Sequence, residues 1–142
     1  MKRLFLDSSG LFAAAYSRTG HARDLILMAV RGEIILVVSQ LVLEETRRNL
    51  AESAPERLAI LDYLTAGIPL EFVKPAKREV IAAARHAVLK DAPMVAAARK
   101  ARVDYLVTLD KKHLLGKPEL AAYVRAPIVT PQEAFERLAK PD

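Results

Sequence analysis

The run Ile34-Ile35-Leu36-Val37-Val38 constrains the fold more than any other part of the sequence. It is apolar at every position and mostly β-branched, which is typical of a strand covered on both faces in a parallel sheet. Comparable short runs lie at residues 4–6, 70–73, 103–107 and 128–129. Because helical segments separate these runs, the sequence predicts one α/β domain over residues 1–142, with a central parallel sheet of four to five strands.

Helix start and stop signals support this alternation. Gly32 is well placed just past a helix end, Ser39 is a good N-cap, and Pro55 suits a first helical turn. The segment Thr130-Pro131-Gln132-Glu133 is a capping box with proline at the first helical position. The predicted helices span residues 10–16, 21–31, 40–51, 55–66, 77–88, 91–101 and about 131–139.

Composition limits the chemistry and the compartment. The 142 residues include 22 Lys+Arg against 17 Asp+Glu, and the net charge of +5 favours a polyanionic partner such as nucleic acid. There is no cysteine, so disulfides and thiolate zinc sites are excluded and a reducing cytoplasm is expected. No stretch has the length of a signal-peptide core or a membrane span, so we expect a cytoplasmic protein with no membrane partner.

Four acids from distant parts of the sequence are expected at one edge of the sheet. Ligands of open parallel sheets bind beyond the carboxyl ends of the strands. Asp7 ends the first strand, and Asp110 follows the fourth. Glu45 lies about one turn into the helix after the second strand. Asp91 opens a helix that must run antiparallel to the fourth strand, so it begins at the same edge.

Such a cluster needs a counter-ion. Two carboxylates about 5 Å apart repel by roughly 3 kcal/mol at an effective dielectric near 20. Oxygen ligands without cysteine suit Mg²⁺ or Mn²⁺, which can activate water and stabilise the charge that develops in phosphodiester hydrolysis. Ser9 and Thr108 are expected to donate hydrogen bonds to the acids without contacting the ion themselves.

Each acid also has a purely structural interpretation. Asp7 and Asp91 are both good helix caps, and Asp110 is an ordinary turn residue. Glu44 and Glu45 compete for one role. Because Glu44 has Arg48 four residues on, a favourable pair on a solvated helix face, we assign Glu45 to the site and Glu44 to the surface.

Basic residues next to the acids are candidates for phosphate contacts. Arg47-Arg48 and Lys111-Lys112 flank the predicted site residues and are predicted to bind substrate. The three histidines lack metal-ligand spacing, and His113 alone is close enough to Asp110 in sequence to contact substrate. With 6% aromatic residues and no tryptophan, the sequence gives little sign of a base-stacking platform, so recognition is expected to depend on backbone and shape.

Taken together, these motifs resemble the PIN-domain nucleases. The resemblance rests on Leu4-Phe5-Leu6-Asp7-Ser8-Ser9, Val42-Leu43-Glu44-Glu45, Asp91 with its alanine-rich helix, and Tyr105-Leu106-Val107-Thr108-Leu109-Asp110. It implies a three-layer α/β/α domain, Mg²⁺- or Mn²⁺-dependent cleavage of RNA, and a catalytic, metal-binding quartet of Asp7, Glu45, Asp91 and Asp110. A free-standing domain of this size further resembles a VapC-type toxin, commonly a homodimer with a protein antitoxin.

The sequence departs from the family pattern in two places. Leu109 stands where the family often has glycine, and Lys111, Lys112 and His113 occur where a further acid is common. The predicted function is a metal-dependent endoribonuclease. The alternatives are a non-catalytic RNA-binding or regulatory module and, less favoured, a receiver or phosphatase, because an Asp-x-Asp phosphatase would need an acid at Ser9.

Overall fold

A parallel sheet of five strands lies at the centre of the protein, in a computed structural model that describes residues 1–140. The strand order is β3-β2-β1-β4-β5, and every neighbouring pair is parallel. The predicted α/β class is confirmed, as is the central position of the first strand. The strands are β1 (Arg3–Leu6), β2 (Ile35–Val38), β3 (Glu71–Phe72), β4 (Tyr105–Val107) and β5 (Ile128–Val129).

Burial explains why the central strands do not alternate in polarity. Leu4, Phe5 and Leu6 of β1 are completely buried, and Val37 and Val38 of β2 are equally inaccessible. Helices therefore cover both faces of these strands, as a parallel sheet requires. The edge strand β3 is exposed at both of its residues, which fits its more polar sequence.

Eight helices complete a three-layer α/β/α arrangement within residues 1–140. Helices α1 to α4 and α8 pack together in one layer, and α5 to α7 pack together in the other. None of the described helices has both the length and the apolar character needed to cross a bilayer. The helices are α1 (Ser8–Tyr16), α2 (His21–Val30), α3 (Gln40–Ser53), α4 (Leu58–Ala66), α5 (Lys77–Ala83), α6 (Ala92–Ala101), α7 (Pro118–Val124) and α8 (Pro131–Ala139).

Two of the predicted helices have wrong boundaries, and one helix was not predicted. The helix expected over residues 77–88 ends at Ala83, where the chain tightens into turns in which the amides of Arg85 and His86 donate to carbonyls three residues back, those of Ala82 and Ala83. Extended backbone at Val88 and a 3₁₀ turn, Leu89–Asp91, then lead into α6. Residues 55–57 form a 3₁₀ turn before α4. Helix α7, which begins with a proline at its first position, was not predicted.

The strand order places a crevice beside β1. Strands β2 and β3 lie on one side of β1, whereas β4 and β5 lie on the other, so the direction of the crossovers reverses between β1 and β4. Ligands of open α/β sheets bind at such a switch point, beyond the carboxyl ends of the strands. Leu6 pairs with Val107 in the register, so Asp7 and Thr108 lie side by side at this point.

The tight reversal from β1 into α1 depends on Gly10. A Cβ atom built on Gly10 would lie 2.7 Å from Cδ1 of Leu6, whose side chain is fully buried. We expect Gly10→Ala to lower the free energy of unfolding by about 1–3 kcal/mol through overpacking, measured by urea denaturation. Gly67→Ala is the matched control, since its Cβ would meet no atom closer than 3.5 Å. A Gly10→Ala variant as stable as Gly67→Ala would contradict the prediction.

Candidate metal centre

Asp7 is buried at the end of β1 and receives three hydrogen bonds. Its Oδ1 accepts from the amide of Gly10 at 3.0 Å and from the hydroxyl of Ser9 at 2.7 Å. Its Oδ2 accepts from the hydroxyl of Thr108 at 2.5 Å. Asp7 therefore caps α1, as its structural interpretation required, and it also stands at the switch point of the sheet.

The environment of Asp7 disfavours its negative charge. Burial raises the pKa of the Asp7 carboxyl above its ordinary value, and the charge of Asp110 raises it further. The hydrogen bonds from Thr108, Gly10 and Ser9 oppose this shift without cancelling it. A cation next to Asp7 would offset the cost of keeping the carboxylate ionised.

Ser9 and Thr108 join the ends of β1 and β4 as well as holding Asp7. The Ser9 hydroxyl accepts from the amide of Leu109 at 2.9 Å, and the Thr108 hydroxyl accepts from the amide of Asp110 at 3.0 Å. Each hydroxyl thus donates to Asp7 and accepts from the loop that carries Asp110. These contacts fix both the rotamer of Asp7 and the position of that loop.

Asp91 brings an unpartnered oxygen to the same edge. It precedes α6 in the N-cap position, yet its side chain makes no capping hydrogen bond. Its Oδ2 is buried and has no hydrogen-bond partner among the described residues. Burial raises the pKa of Asp91 above its ordinary value, and the charges of Asp110 and Glu45 add to this, against the opposing effects of Lys90 and His113.

Asp7, Glu45 and Asp91 line one small cleft. The cleft has a volume of about 30 Å³, room for an ion or very few water molecules. Glu45 accepts a hydrogen bond from the hydroxyl of Ser8. Glu44, in contrast, lines a separate groove with Phe72. The remaining residues of the cleft are Ser8, Ser39, Leu41, Val42, Lys90 and Met94.

Asp110 lies beside this cleft and does not line it. It is close enough to raise the pKa of both Asp7 and Asp91. Its Oδ1 accepts hydrogen bonds from the amides of Lys112 at 2.9 Å and His113 at 3.0 Å. Asp110 therefore shapes its own turn, as its structural interpretation required, while contributing negative charge to the site.

The donor set fits a hard divalent cation. Among residues 1–140, no group of three or more acidic, histidine or cysteine side chains has the arrangement of a metal site as it stands. Glu45 is held by Ser8, and Asp110 is held by two amides. The buried, unpartnered Oδ2 of Asp91 and the raised pKa of Asp7 nevertheless mark a place where positive charge is favourable, and carboxylate oxygens are the ligands that Mg²⁺ and Mn²⁺ take.

Of the four residues predicted to bind phosphate, one forms an ion pair and the other three are exposed side chains. Arg47 forms an ion pair with Asp62 that links α3 to α4, and Arg48 is exposed. Lys111 and Lys112 are exposed in the turn after Asp110. Their predicted role in substrate binding stays a prediction.

Ser8 and Lys90 line the cleft but were not among the residues predicted for the site. The signal for Ser8 was present in the sequence, because a hydroxyl directly after a strand-ending acid begins the next helix at the same edge. Lys90 precedes Asp91, so its charge lies next to the predicted acid. The ammonium group is placed to offset part of the negative charge of the cleft.

Thr108→Val should show how strongly one hydroxyl supports Asp7. Valine keeps the shape of threonine but leaves the buried Asp7 Oδ2 without its donor, at a cost of about 1–3 kcal/mol in the free energy of unfolding. Because the Thr108 hydrogen bond lowers the pKa of Asp7, its loss should raise that pKa further and move the acidic limb of any pH–activity profile to higher pH. Urea denaturation and a pH profile measure the two effects. An unchanged profile would contradict this role.

The protein is of the α/β class, with a parallel sheet and a cluster of carboxylates at the switch point of that sheet. A family model described as PIN domain matches residues 3–112. The chain therefore belongs to the PIN domain family, and the resemblance seen in the sequence is confirmed.

Solved structures share the fold. PAE2754 from Pyrobaculum aerophilum is 22% identical with a TM-score of 0.67, and the match covers 97% of this chain and 90% of that chain. VapBC2 from Rickettsia felis, solved bound to a DNA fragment from the promoter, is 11% identical with a TM-score of 0.62; that match covers 90% of this chain and 98% of that chain. A search of curated proteins found no match.

Proposed function

We propose that this protein is a metal-dependent endoribonuclease that hydrolyses RNA phosphodiester bonds. The observation that carries the proposal is the unpartnered, buried Oδ2 of Asp91 at the cleft that Asp7 and Glu45 also line. An uncompensated carboxylate oxygen beside two other acids costs free energy unless a cation binds there. Membership of the PIN domain family, whose members are generally nucleases, supports the same function.

Asp7 and Asp91 would hold the ion, and Glu45 and Asp110 would complete its surroundings directly or through water. When bound, Mg²⁺ or Mn²⁺ supplies a water of lowered pKa and offsets negative charge on the phosphate. Ser9 and Thr108 keep the Asp7 carboxylate in a fixed orientation through their hydrogen bonds.

Exposed lysine and arginine side chains near the acidic cleft would position the RNA. Lys111 and Lys112 follow Asp110 directly, and Arg48 is exposed on the helix that carries Glu45. Their charges, within a chain of net charge +5, favour contacts with the phosphates on either side of the bond that is cut. Arg47 would contribute only after leaving its exposed ion pair with Asp62, which is weak enough to exchange.

The toxin role is part of the proposal. The fold is shared with VapBC2 from Rickettsia felis, which was solved bound to promoter DNA. We propose that this chain acts as the toxin of a toxin–antitoxin pair in the cytoplasm, as a homodimer restrained by a protein antitoxin. A short neighbouring reading frame encoding a small DNA-binding protein, whose product relieves growth arrest caused by this chain, would support that role.

A non-catalytic RNA-binding module is the second candidate. It is favoured by the hydrogen bonds that already occupy Glu45 and Asp110. Its signature would be salt-sensitive RNA binding with no cleavage under any divalent ion.

A matched pair of neighbouring glutamates tests the proposed function. We expect the wild-type protein to cleave a labelled single-stranded RNA with Mg²⁺ or Mn²⁺ and not with EDTA. Glu45→Gln should slow cleavage by about 100-fold or more, since a bound metal contributes several kcal/mol to such a reaction. Glu44→Gln should match wild type, because Glu44 lines a different groove. Equal rates for the two variants would contradict the assignment of Glu45.

A further inference from the structure

A second, larger cleft is lined in part by Lys112 and His113, whose amides both donate to Asp110. Its volume is about 410 Å³, within the range of cavities that hold small ligands. His113 lines this cleft, donates its amide to Asp110 at 3.0 Å and is close enough to Asp91 to lower the pKa of that carboxyl. The lining comprises His86, Ala87, Val88, Lys112, His113, Gly116, Lys117, Pro118, Glu119 and Leu120.

His86 contributes an aromatic ring to the lining of this cleft. Its ring stacks on Tyr123 of α7, with the ring centroids 4.0 Å apart and the planes 19° from parallel. Tyr123 is in turn covered by the guanidinium of Arg99, which lies 4.5 Å from the ring centroid. His86 itself is exposed. Because Tyr123 covers one face of the imidazole, the other face is available to a flat ligand.

The charges of the cleft suit a phosphate. Lys112 and Lys117 are both exposed at its lining, together with the half-buried His113. Glu119 is the one carboxylate among the residues that line the cleft. A flat aromatic face and two ammonium groups, next to a cluster of acids, match the parts of a nucleotide: a base and its backbone phosphate.

We propose that this cleft binds one unstacked nucleotide of single-stranded RNA, next to the phosphate that is cut. The base stacks on the open face of His86, and the backbone phosphate contacts Lys112 and Lys117. The proposal rests on the proposed nuclease function, and it names the substrate as single-stranded at this position. A paired base in a helix has both faces covered by its neighbours, so double-stranded RNA could not use the His86 platform without opening.

Binding measured without cleavage tests the subsite. A short fluorescein-labelled single-stranded RNA is titrated in EDTA and followed by fluorescence anisotropy. We expect His86→Ala to weaken binding by roughly five- to 150-fold, the range that one base–aromatic stack supplies. His86→Phe should bind about as well as wild type, because phenylalanine keeps a flat ring. A duplex of the same sequence should bind equally to wild type and His86→Ala.

Matched controls separate stacking from general effects. His21→Ala removes another histidine that packs on an aromatic ring, that of Phe135, and should leave RNA binding unchanged. Lys112→Gln and Lys117→Gln should each weaken binding and reduce its salt dependence, whereas Lys2→Gln, at the opposite edge of the sheet before β1, should not. Melting curves establish that every variant is folded.

The outcomes distinguish this subsite from the nuclease function. If His86→Ala binds like wild type, or if His86→Phe is as weak as His86→Ala, the stacking subsite is wrong even where the wild-type protein cleaves RNA. If His86→Ala loses binding while the wild-type protein shows no cleavage with any divalent ion, the subsite stands and the nuclease function falls.

Discussion

Asp7→Asn should make the protein more stable to heat while removing its divalent-ion-dependent cleavage of RNA. Burial raises the pKa of Asp7 in the folded state, so the ionised carboxylate at neutral pH destabilises the fold relative to the unfolded chain. Asparagine keeps the shape without the charge. For a chain of this length, each kcal/mol gained raises Tm by about 3–5 °C. Cleavage should fall by about 1,000-fold, the effect of losing several kcal/mol of metal assistance.

The pH dependence of this stabilisation follows from the direction of the pKa shift of Asp7. An acid whose folded-state pKa is raised contributes stability at low pH, and that contribution is lost as pH rises through the folded-state pKa. The difference in Tm between Asp7→Asn and wild type should therefore be largest near neutral pH. It should shrink as pH falls through the raised pKa of Asp7.

Asp104→Asn is a control with the opposite expectation. The Asp104 carboxylate accepts from the amide of Arg3 at 2.7 Å, at the amino ends of β1 and β4. Loss of the Asp104 carboxylate should lower the Tm and leave the cleavage of RNA intact. A less stable Asp7→Asn variant that still cleaves RNA would contradict the role assigned to Asp7.

Asp91→Asn should abolish the stabilisation that Mg²⁺ or Mn²⁺ gives to the folded protein. An ion at 100 times its Kd stabilises the state that binds it by about 2.7 kcal/mol, which corresponds to a rise in Tm on the order of 10 °C here. The buried Oδ2 of Asp91 is the atom with most to gain from the ion, because no described residue donates to it. Thermal unfolding with and without the ion measures this effect independently of catalysis.

Asp62→Asn provides the matched control for the metal titration. Asp62 is an exposed aspartate that pairs with Arg47, and such ion pairs contribute little to stability. The variant should keep the full cation-induced rise in Tm. If Asp91→Asn keeps that rise as well, the ion binds elsewhere.

The strands and their layering were predictable because a strand that is buried on both faces has apolar residues at consecutive positions. Residues 34–38 are apolar at every position because β2 is covered on both faces, and the same holds for residues 4–6 of β1. The convergence of Asp7 and Asp110 followed from strand direction alone. The position of Asp91 at the same edge followed from the requirement that α6 run antiparallel to β4. Each of these inferences needed topology and no knowledge of side-chain contacts.

The cleft beside the acids was not predictable in the same way. Alanine-rich sequence after Lys77 favours helix through Val88, and only tertiary structure ends α5 at Ala83 and frees His86 to stack on Tyr123. Tyr123 belongs to α7, whose proline at the first helical position was the signal that was missed. The low aromatic content gave little sign of a base-stacking platform, yet one histidine and one tyrosine, distant in sequence, form a stacked pair.

The central claim is that Asp7 and Asp91 bind one divalent cation between them. Anomalous diffraction from a crystal soaked in Mn²⁺ tests it most directly. We predict a single strong peak at the small cleft, within coordination distance of about 2.0–2.4 Å from carboxylate oxygens of both residues. A crystal saturated with Mn²⁺ that shows no peak there, or a peak in contact with only one of the two acids, would contradict it.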